Sequence, residues 1–193
     1  PPDQGCLFLV VGPSGVGKDS ILDGARAYFA ADPGIVFPRR VITRPAHLGG
    51  EAHDAVSNEE FMVLEKSGAF ALSWRAHGYA YGIPQSIVDE LRAGCPVVVN
   101  VSRTVIDEAR KRFCPMSVIV ITARPEIIAE RLNRRGRESA DEIRDRIQRS
   151  SMTMPAGADV RYIDNSGSMD KAVSAFCSVI RPINAFGKVS WIR

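Results

Sequence analysis

The chain has 193 residues, is 45% hydrophobic, has a mean hydropathy of −0.05 and carries a net charge of +3. This is enough for one well-packed domain and too little for two large ones. Its longest apolar runs, CLFLVV and SVIVIT, fall far short of a bilayer span, and no basic flank leads into an apolar signal region, so a cytosolic protein that does not engage a membrane is expected.

Residues 6–11, CLFLVV, form an apolar run that ends at a glycine, as a strand buried on both faces does. The stretch GPSGVGKDS, Gly12 to Ser20, follows. Gly12, Gly17 and Lys18 satisfy G-x-x-x-x-G-K between a buried strand and a helix, which is the context a phosphate-binding loop requires. Gly12, Pro13, Ser14, Gly15, Val16 and Gly17 are expected to wrap a nucleotide phosphate with backbone N–H groups. The helix N-terminus adds partial positive charge, and Lys18 is expected to reach the β- and γ-phosphates. Asp19 stands where a hydroxyl residue is usual. Its carboxylate is either an oxygen ligand for magnesium or an acidic first-turn residue that favours the helix start, with Ser20 as the alternative hydroxyl.

A helix is predicted over about 18–31, with Ile21, Leu22, Ala25 and Phe29 on one face, and a second strand over 35–43. RPAHLGGEAHDA reads as an exposed loop. Ser57 and Glu60 form a capping box before a short helix over about 58–67. AFALSW and YAYG are predicted short strands, and PQSIVDELRAG a helix with proline at its start and Gly94 at its end. PVVVNV and SVIVIT are two more buried strands, each followed by a helical stretch. Ser139 with Glu142 opens a further helix, and VRYID with a helix over about 169–180 completes the pattern. Buried strands alternating with helices predict an α/β fold, a parallel sheet with helices on both faces. Four cysteines, at 6, 95, 114 and 177, have no CxxC spacing and lie in or beside apolar segments. Buried reduced thiols are expected, and nothing supports a zinc site.

Of the 25 basic residues, 20 are arginine, whose bidentate fork suits phosphate. Arg39, Arg40 and Arg44 form one group, and a second runs from Arg131 to Arg149. The second is interleaved with acidic residues, which argues against a nucleic-acid partner. Arg131, Arg134 and Arg149 read as solvated charges on a helix face.

GPSGVGK, TRPAHLGGE, SNEEF, YAYG and RLNRRGRES with IRDRI occur in this order across residues 6–180, and with them the chain resembles the guanylate-kinase-like family of P-loop kinases. The resemblance implies a core over 5–35, 96–131 and 153–183, an acceptor-binding subdomain over 36–95 and a lid over 132–152, within one domain. Guanylate kinases recognise guanine with a glutamate and with a serine or threonine; those positions fall here on Leu72 and Ile83, which cannot hydrogen-bond a base edge. The family's phosphate-contacting tyrosine falls near His53, its second phosphate-gripping arginine near His47, and an acidic strand-end residue on Asn100.

Taken with these departures, GKDS, RRVITRPA, GGE, FALSW, YG and VVVNVSR resemble the ribose 1,5-bisphosphate phosphokinases, which serve phosphonate degradation. That resemblance implies an ATP- and Mg2+-dependent kinase acting on a small anionic sugar phosphate. It implies Lys18, Asp19, Arg135 and Arg146 as catalytic groups, Asp19 as the metal ligand, and Asn165 in the loop on the adenine side. Arg44 matches the first phosphate-gripping arginine. Arg40, and with it Arg39 and Arg103, are candidates for the second phosphate; Arg103 follows Asn100 and Ser102 at a strand C-terminus, where ligands of such sheets bind. Thr43, Glu51, His53, Tyr81, Asn100 and Ser102 are expected to hydrogen-bond the sugar and its phosphates. The exchange of acid and amide between positions 19 and 100 is read as a relocation of negative charge away from a bisphosphate acceptor. A nucleoside-monophosphate kinase of relaxed base choice and a catalytically silent binding module are the alternatives; the intact Lys18 and lid arginines argue against the second. A homodimer is left open.

Overall fold

The computed structural model describes residues 4–32, 34–48, 51–135 and 154–180, and does not describe the side chains of Leu48 and Arg135. The predicted helix at Ser139, Arg146, nearly all of the lid and the 181–193 tail lie outside the described residues.

Eight strands are described: β1 Leu7–Val11, β2 Val41–Ile42, β3 Asp54–Ala55, β4 Phe70–Ala76, β5 Tyr79–Pro84, β6 Val97–Asn100, β7 Met116–Thr122 and β8 Val160–Asp164. The helices are α1 Lys18–Tyr28, α2 Asn58–Lys66, α3 Ile87–Arg92, α4 Ile106–Arg112, α5 Pro125–Arg135 and α6 Met169–Ile180, with 3-10 turns at Ala46–Leu48 and Arg103–Val105. One four-stranded sheet has the order β6-β1-β7-β8, and a second has the order β3-β2-β5-β4. In the first, β7 and β8 pair in parallel, Val118 opposite Val160 through Thr122 opposite Asp164. All five residues of β1 are buried, as are Val118–Ile121 of β7. A strand without alternation is covered on both faces, so the expected α/β sheet is what forms.

The chain divides into two compact units. Among the described residues, one takes in the chain up to Leu9 and Ala31–Met116; the other takes in Val10–Ala30 and the chain from Ser117 onward. In the second unit, α1 buries Ile21, Leu22 and Ala25, and α6 buries Ala172, Phe176, Cys177 and Ile180, each a helical stripe. In the first unit, β4 and β5 form an antiparallel hairpin joined by His77 and Gly78, at φ 51° and 78°. Two residues in the left-handed region match the twist of the flanking strands, so His77 is a turn residue.

Three predicted elements change. The strand expected over 35–43 is paired only at Val41–Ile42, with an isolated bridge from Val36 to Val97, because Pro38 has no N–H to give a ladder. The helix expected over 18–31 ends at Tyr28, ahead of Asp32 and the Pro33 that follows it in sequence. Pro84 does not start α3: it closes β5, and α3 begins at Ile87. The cysteines also divide. Cys6 and Cys177 are buried, and burial pushes their thiols up to about 12 and about 11, whereas Cys95 is half-buried and Cys114 exposed.

Candidate active site

In the second unit, the chain leaves β1 at Val11 and enters α1 at Lys18 through the Gly12–Gly17 loop. Gly17 caps α1 in the left-handed conformation, φ 93°, with no side-chain cap bond, so the helix start faces the loop as in a phosphate site. A Cβ at Gly17 would lie 2.5 Å from Asn165 Nδ2, and one at Gly12 would lie 2.5 Å from the Ile121 carbonyl oxygen. The ammonium of Lys18 donates to the carbonyls of Gly12 at 2.7 Å and Pro13 at 3.0 Å, which curls the side chain back over the loop. A cavity of about 350 Å³ opens here, lined by Gly15, Gly17, Ser20, Arg131, Arg134 and Met169.

Two residues hold the loop from behind. Asn165 is fully buried, with Nδ2 donating to the Val16 carbonyl at 2.8 Å. Its Oδ1 is buried without a hydrogen-bond partner among the described residues, so the amide faces the loop and not the surface where an adenine-side contact was expected. Arg131 donates from Nη1 to the same Val16 carbonyl at 3.1 Å and from Nη2 to the Asn165 carbonyl at 2.9 Å. The reading of Arg131 as a solvated charge is therefore wrong: helix α5 turns it onto the phosphate loop. Arg134, which lines the same cavity, keeps an exposed side chain paired with Glu130, as expected.

Asp19 and Ser20 are exposed in the first turn of α1. Among the described residues no three His, Cys, Asp or Glu side chains gather to hold a metal. A divalent ion here would take its ligands mainly from nucleotide phosphates and water, with Asp19 or Ser20 supplying one oxygen, which is how magnesium is usually bound.

The first unit holds the residues expected for the acceptor. Arg40 lies just before β2, its side chain 12% exposed; its Nε donates to Glu51 Oε1 and its Nη1 to the Asn100 carbonyl at 3.2 Å. The Asn100 amide reaches Glu51 Oε2 at 3.4 Å. Both carboxylate oxygens of Glu51 and the Nε and Nη1 of Arg40 are thus engaged within the protein, which fixes the pair beside Asn100. An aspartate at position 100 would set a second carboxylate against Glu51, a local reason for the amide there.

The other arginines sort by partner. Arg39 donates to the His53 carbonyl at 3.0 Å and pairs with Asp54 at 3.1 Å. Arg44 makes no ion pair with a described carboxylate, and its buried Nε has no hydrogen-bond partner. Arg103 is half-buried in the 3-10 turn. His53 is only 6% exposed; its ring nitrogens lie 3.0 Å from the Glu51 carbonyl and 2.8 Å from the Arg44 carbonyl. The ring lies between two backbone carbonyls, so His53 braces the loop that carries Arg44. Thr43 Oγ1 accepts from the Ala80 N–H at 2.9 Å, and Ser102 Oγ accepts from the Thr104 N–H at 3.3 Å, so both hydroxyl oxygens already shape the backbone.

Tyr81 is 8% exposed and stacks on Trp74, ring centroids 5.2 Å apart and planes within 3°. Burial pushes its phenol above the usual range, against the pull of Arg40 and Arg44, so the hydroxyl stays protonated as a donor. Leu72 and Ile83 face each other across the hairpin at 1% and 0% exposure. Sequence reasoning passed over Trp74. Its position two residues beyond Leu72 on a strand put it on the same face.

No family model matches the chain. Among curated proteins, it is 46% identical over 175 residues to the ribose 1,5-bisphosphate phosphokinase of Agrobacterium fabrum, covering 91% of this chain and 96% of that one. It is 49% identical over 179 residues to the protein of the same name from Acidiphilium cryptum, covering 93% and 94%. Among solved structures it is similar to guanylate kinase from Anaplasma phagocytophilum, with a TM-score of 0.66, 17% identity, and 92% of this chain and 85% of that one covered. The structural likeness shows the shared P-loop α/β fold, and the sequence relatives place the chain within it: it belongs to the ribose 1,5-bisphosphate phosphokinase family.

Proposed function

We propose that this kinase transfers the γ-phosphoryl group of ATP to the 1-phosphate of ribose 1,5-bisphosphate, giving 5-phosphoribosyl 1-diphosphate and ADP. The observation that carries this choice of acceptor is the contrast within the first unit: Arg44 meets no described carboxylate, while Leu72 and Ile83 present buried hydrocarbon. Such a site suits an acceptor that is anionic and carries no base.

An oxygen of the 1-phosphate attacks the γ-phosphorus, a new P–O bond forms, and the bond to the β,γ-bridging oxygen breaks as ADP leaves. The attacking oxygen is already ionised near neutral pH, so no general base is required, and the protein contributes positioning and charge. The loop N–H groups and the start of α1 bind the donor phosphates. Lys18 exchanges its bonds to the Gly12 and Pro13 carbonyls for phosphate oxygens. Arg131 and Asn165 keep the Val16 carbonyl turned out of the cradle. Asp19 or Ser20 would hold magnesium together with the nucleotide phosphates, and the ion would neutralise charge on the transferring group. Arg44 grips an acceptor phosphate, and Tyr81 offers it a hydrogen bond. Arg135 and Arg146 act as the arginines that close over the transferring group, a role worth about 10³-fold or more in rate.

Phosphorus NMR tests the proposal. With ATP and Mg2+, ribose 1,5-bisphosphate is expected to yield a new diphosphate doublet, and GMP is not. Formation of GDP in place of the sugar diphosphate would return the protein to the nucleoside-monophosphate kinases.

A further inference from the structure

The recognition of a nucleobase by a protein uses two devices: polar partners along the base edge and an open aromatic or guanidinium face on which the ring stacks. The acceptor sheet has lost both. Leu72 and Ile83 remove the first. The second is removed by Trp74, which pairs directly with Tyr81 across β4 and β5, two residues from the Leu72–Ile83 pair on the same face. The two rings cover each other, 5.2 Å apart and nearly parallel. The Arg40 guanidinium carbon lies 5.9 Å from the Trp74 centroid and 5.3 Å from that of Tyr81. Arg40 cannot swing aside cheaply, because Glu51 and the Asn100 carbonyl hold it. Ile42, directly opposite Tyr81 on β2 and fully buried, fills the next place along this face.

We propose that Trp74 is a specificity-determining residue which excludes nucleoside monophosphates from the acceptor site by occupying the stacking face of Tyr81. The inference rests on the acceptor being a sugar phosphate without a base, as proposed above. Trp74 fills space and covers a ring; it takes no part in the transfer of the phosphoryl group. The polar tip of Tyr81 has no hydrogen-bond partner among the described residues, so the phenol still serves the acceptor phosphate while its face is closed.

The test measures binding and turnover together. Equilibrium binding of GMP and of ribose 5-phosphate is followed by calorimetry in the wild type, Trp74→Ala, Trp74→Leu and Trp74→Phe, each checked for a cooperative thermal transition. Trp74→Ala frees the Tyr81 face and is expected to bind GMP about tenfold or more tightly than the wild type, with ribose 5-phosphate affinity changed far less. Trp74→Leu fills part of the space but lays no ring over Tyr81, and it guards against collapse of the Ala variant; it should gain GMP affinity, by less than Trp74→Ala. Trp74→Phe keeps a ring over Tyr81 and should retain the discrimination. GMP affinity unmoved in folded Ala and Leu variants overturns the role of Trp74, and so does tight GMP binding by the wild type. Turnover of ribose 1,5-bisphosphate by the wild type is scored separately. If it is absent while the binding shift occurs, the assigned reaction fails and the exclusion of bases stands.

Discussion

Arg131 is the residue whose environment says most about how the phosphate loop keeps its shape. A backbone carbonyl at the tip of a glycine-rich loop is free to turn inward, where it would repel a phosphate. Here the Val16 carbonyl is held by two donors, Arg131 Nη1 and Asn165 Nδ2. Arg131→Ala removes one of them, together with the bond to the Asn165 carbonyl, and should cost roughly 1–3 kcal/mol. Because the loop serves the nucleotide, KM for ATP is expected to rise about tenfold while KM for the sugar substrate stays within twofold, and Arg131→Lys should restore only part of the loss. Steady-state kinetics with each substrate varied in turn checks this. An equal rise in both KM values would mean that Arg131 supports the fold at large and not the loop.

At the scale of elements, α2 and β4 are joined by a surface network. Glu65 accepts from both Nη atoms of Arg75, at 3.0 and 2.6 Å, and from Ser73 Oγ at 2.7 Å. The Arg75 guanidinium lies 5.0 Å from the centroid of the Phe61 ring. These bonds hold the Glu65 carboxyl at about 2, below its ordinary value of 4.5. A depressed carboxylate stabilises the folded state above pH 4.5, and the contribution is lost as the pH falls towards about 2. The side chains are 34% and 54% exposed, so after screening the pair is worth about 1 kcal/mol at most. Glu65→Gln should flatten this part of the pH dependence in denaturant titrations, and 1 M salt should have a similar effect on the wild type. A wild-type profile already flat between pH 4.5 and 2 would contradict the assignment.

For the whole molecule, a ligand that binds only the folded state raises stability by mass action. ATP with Mg2+ at a hundredfold excess over its Kd should add about 2.7 kcal/mol. In a protein of 193 residues this corresponds to a rise in Tm of roughly 5–10 °C. GMP should leave Tm within about 1 °C, since neither a base edge nor an open ring face is available to it. Thermal unfolding with each ligand checks both halves, and a larger shift with GMP than with ATP would overturn the assignment of donor and acceptor. No helix among the described residues is long and apolar enough to cross a membrane.

The phosphate loop was legible from the sequence because its chemistry lies in contiguous residues. Glycines at 12 and 17, a lysine at 18 and the buried runs at either side prescribe a strand, a turn and a helix start by local sterics alone. The absence of polar side chains at 72 and 83 was legible too, since leucine and isoleucine offer a base edge no hydrogen bond wherever they point. The fate of the arginines was not. Residues 39, 40 and 44 look alike in sequence, and only strand register and loop closure decide that Arg39 meets Asp54, Arg40 meets Glu51 and Arg44 meets no described carboxylate. Trp74 over Tyr81 and Arg131 behind Val16 were likewise hidden, the one depending on a hairpin turn at His77–Gly78 and the other on contacts across 115 residues of chain. Local sterics write themselves into neighbouring letters. A charge or a ring acquires its role from partners that only tertiary packing brings within a few ångströms.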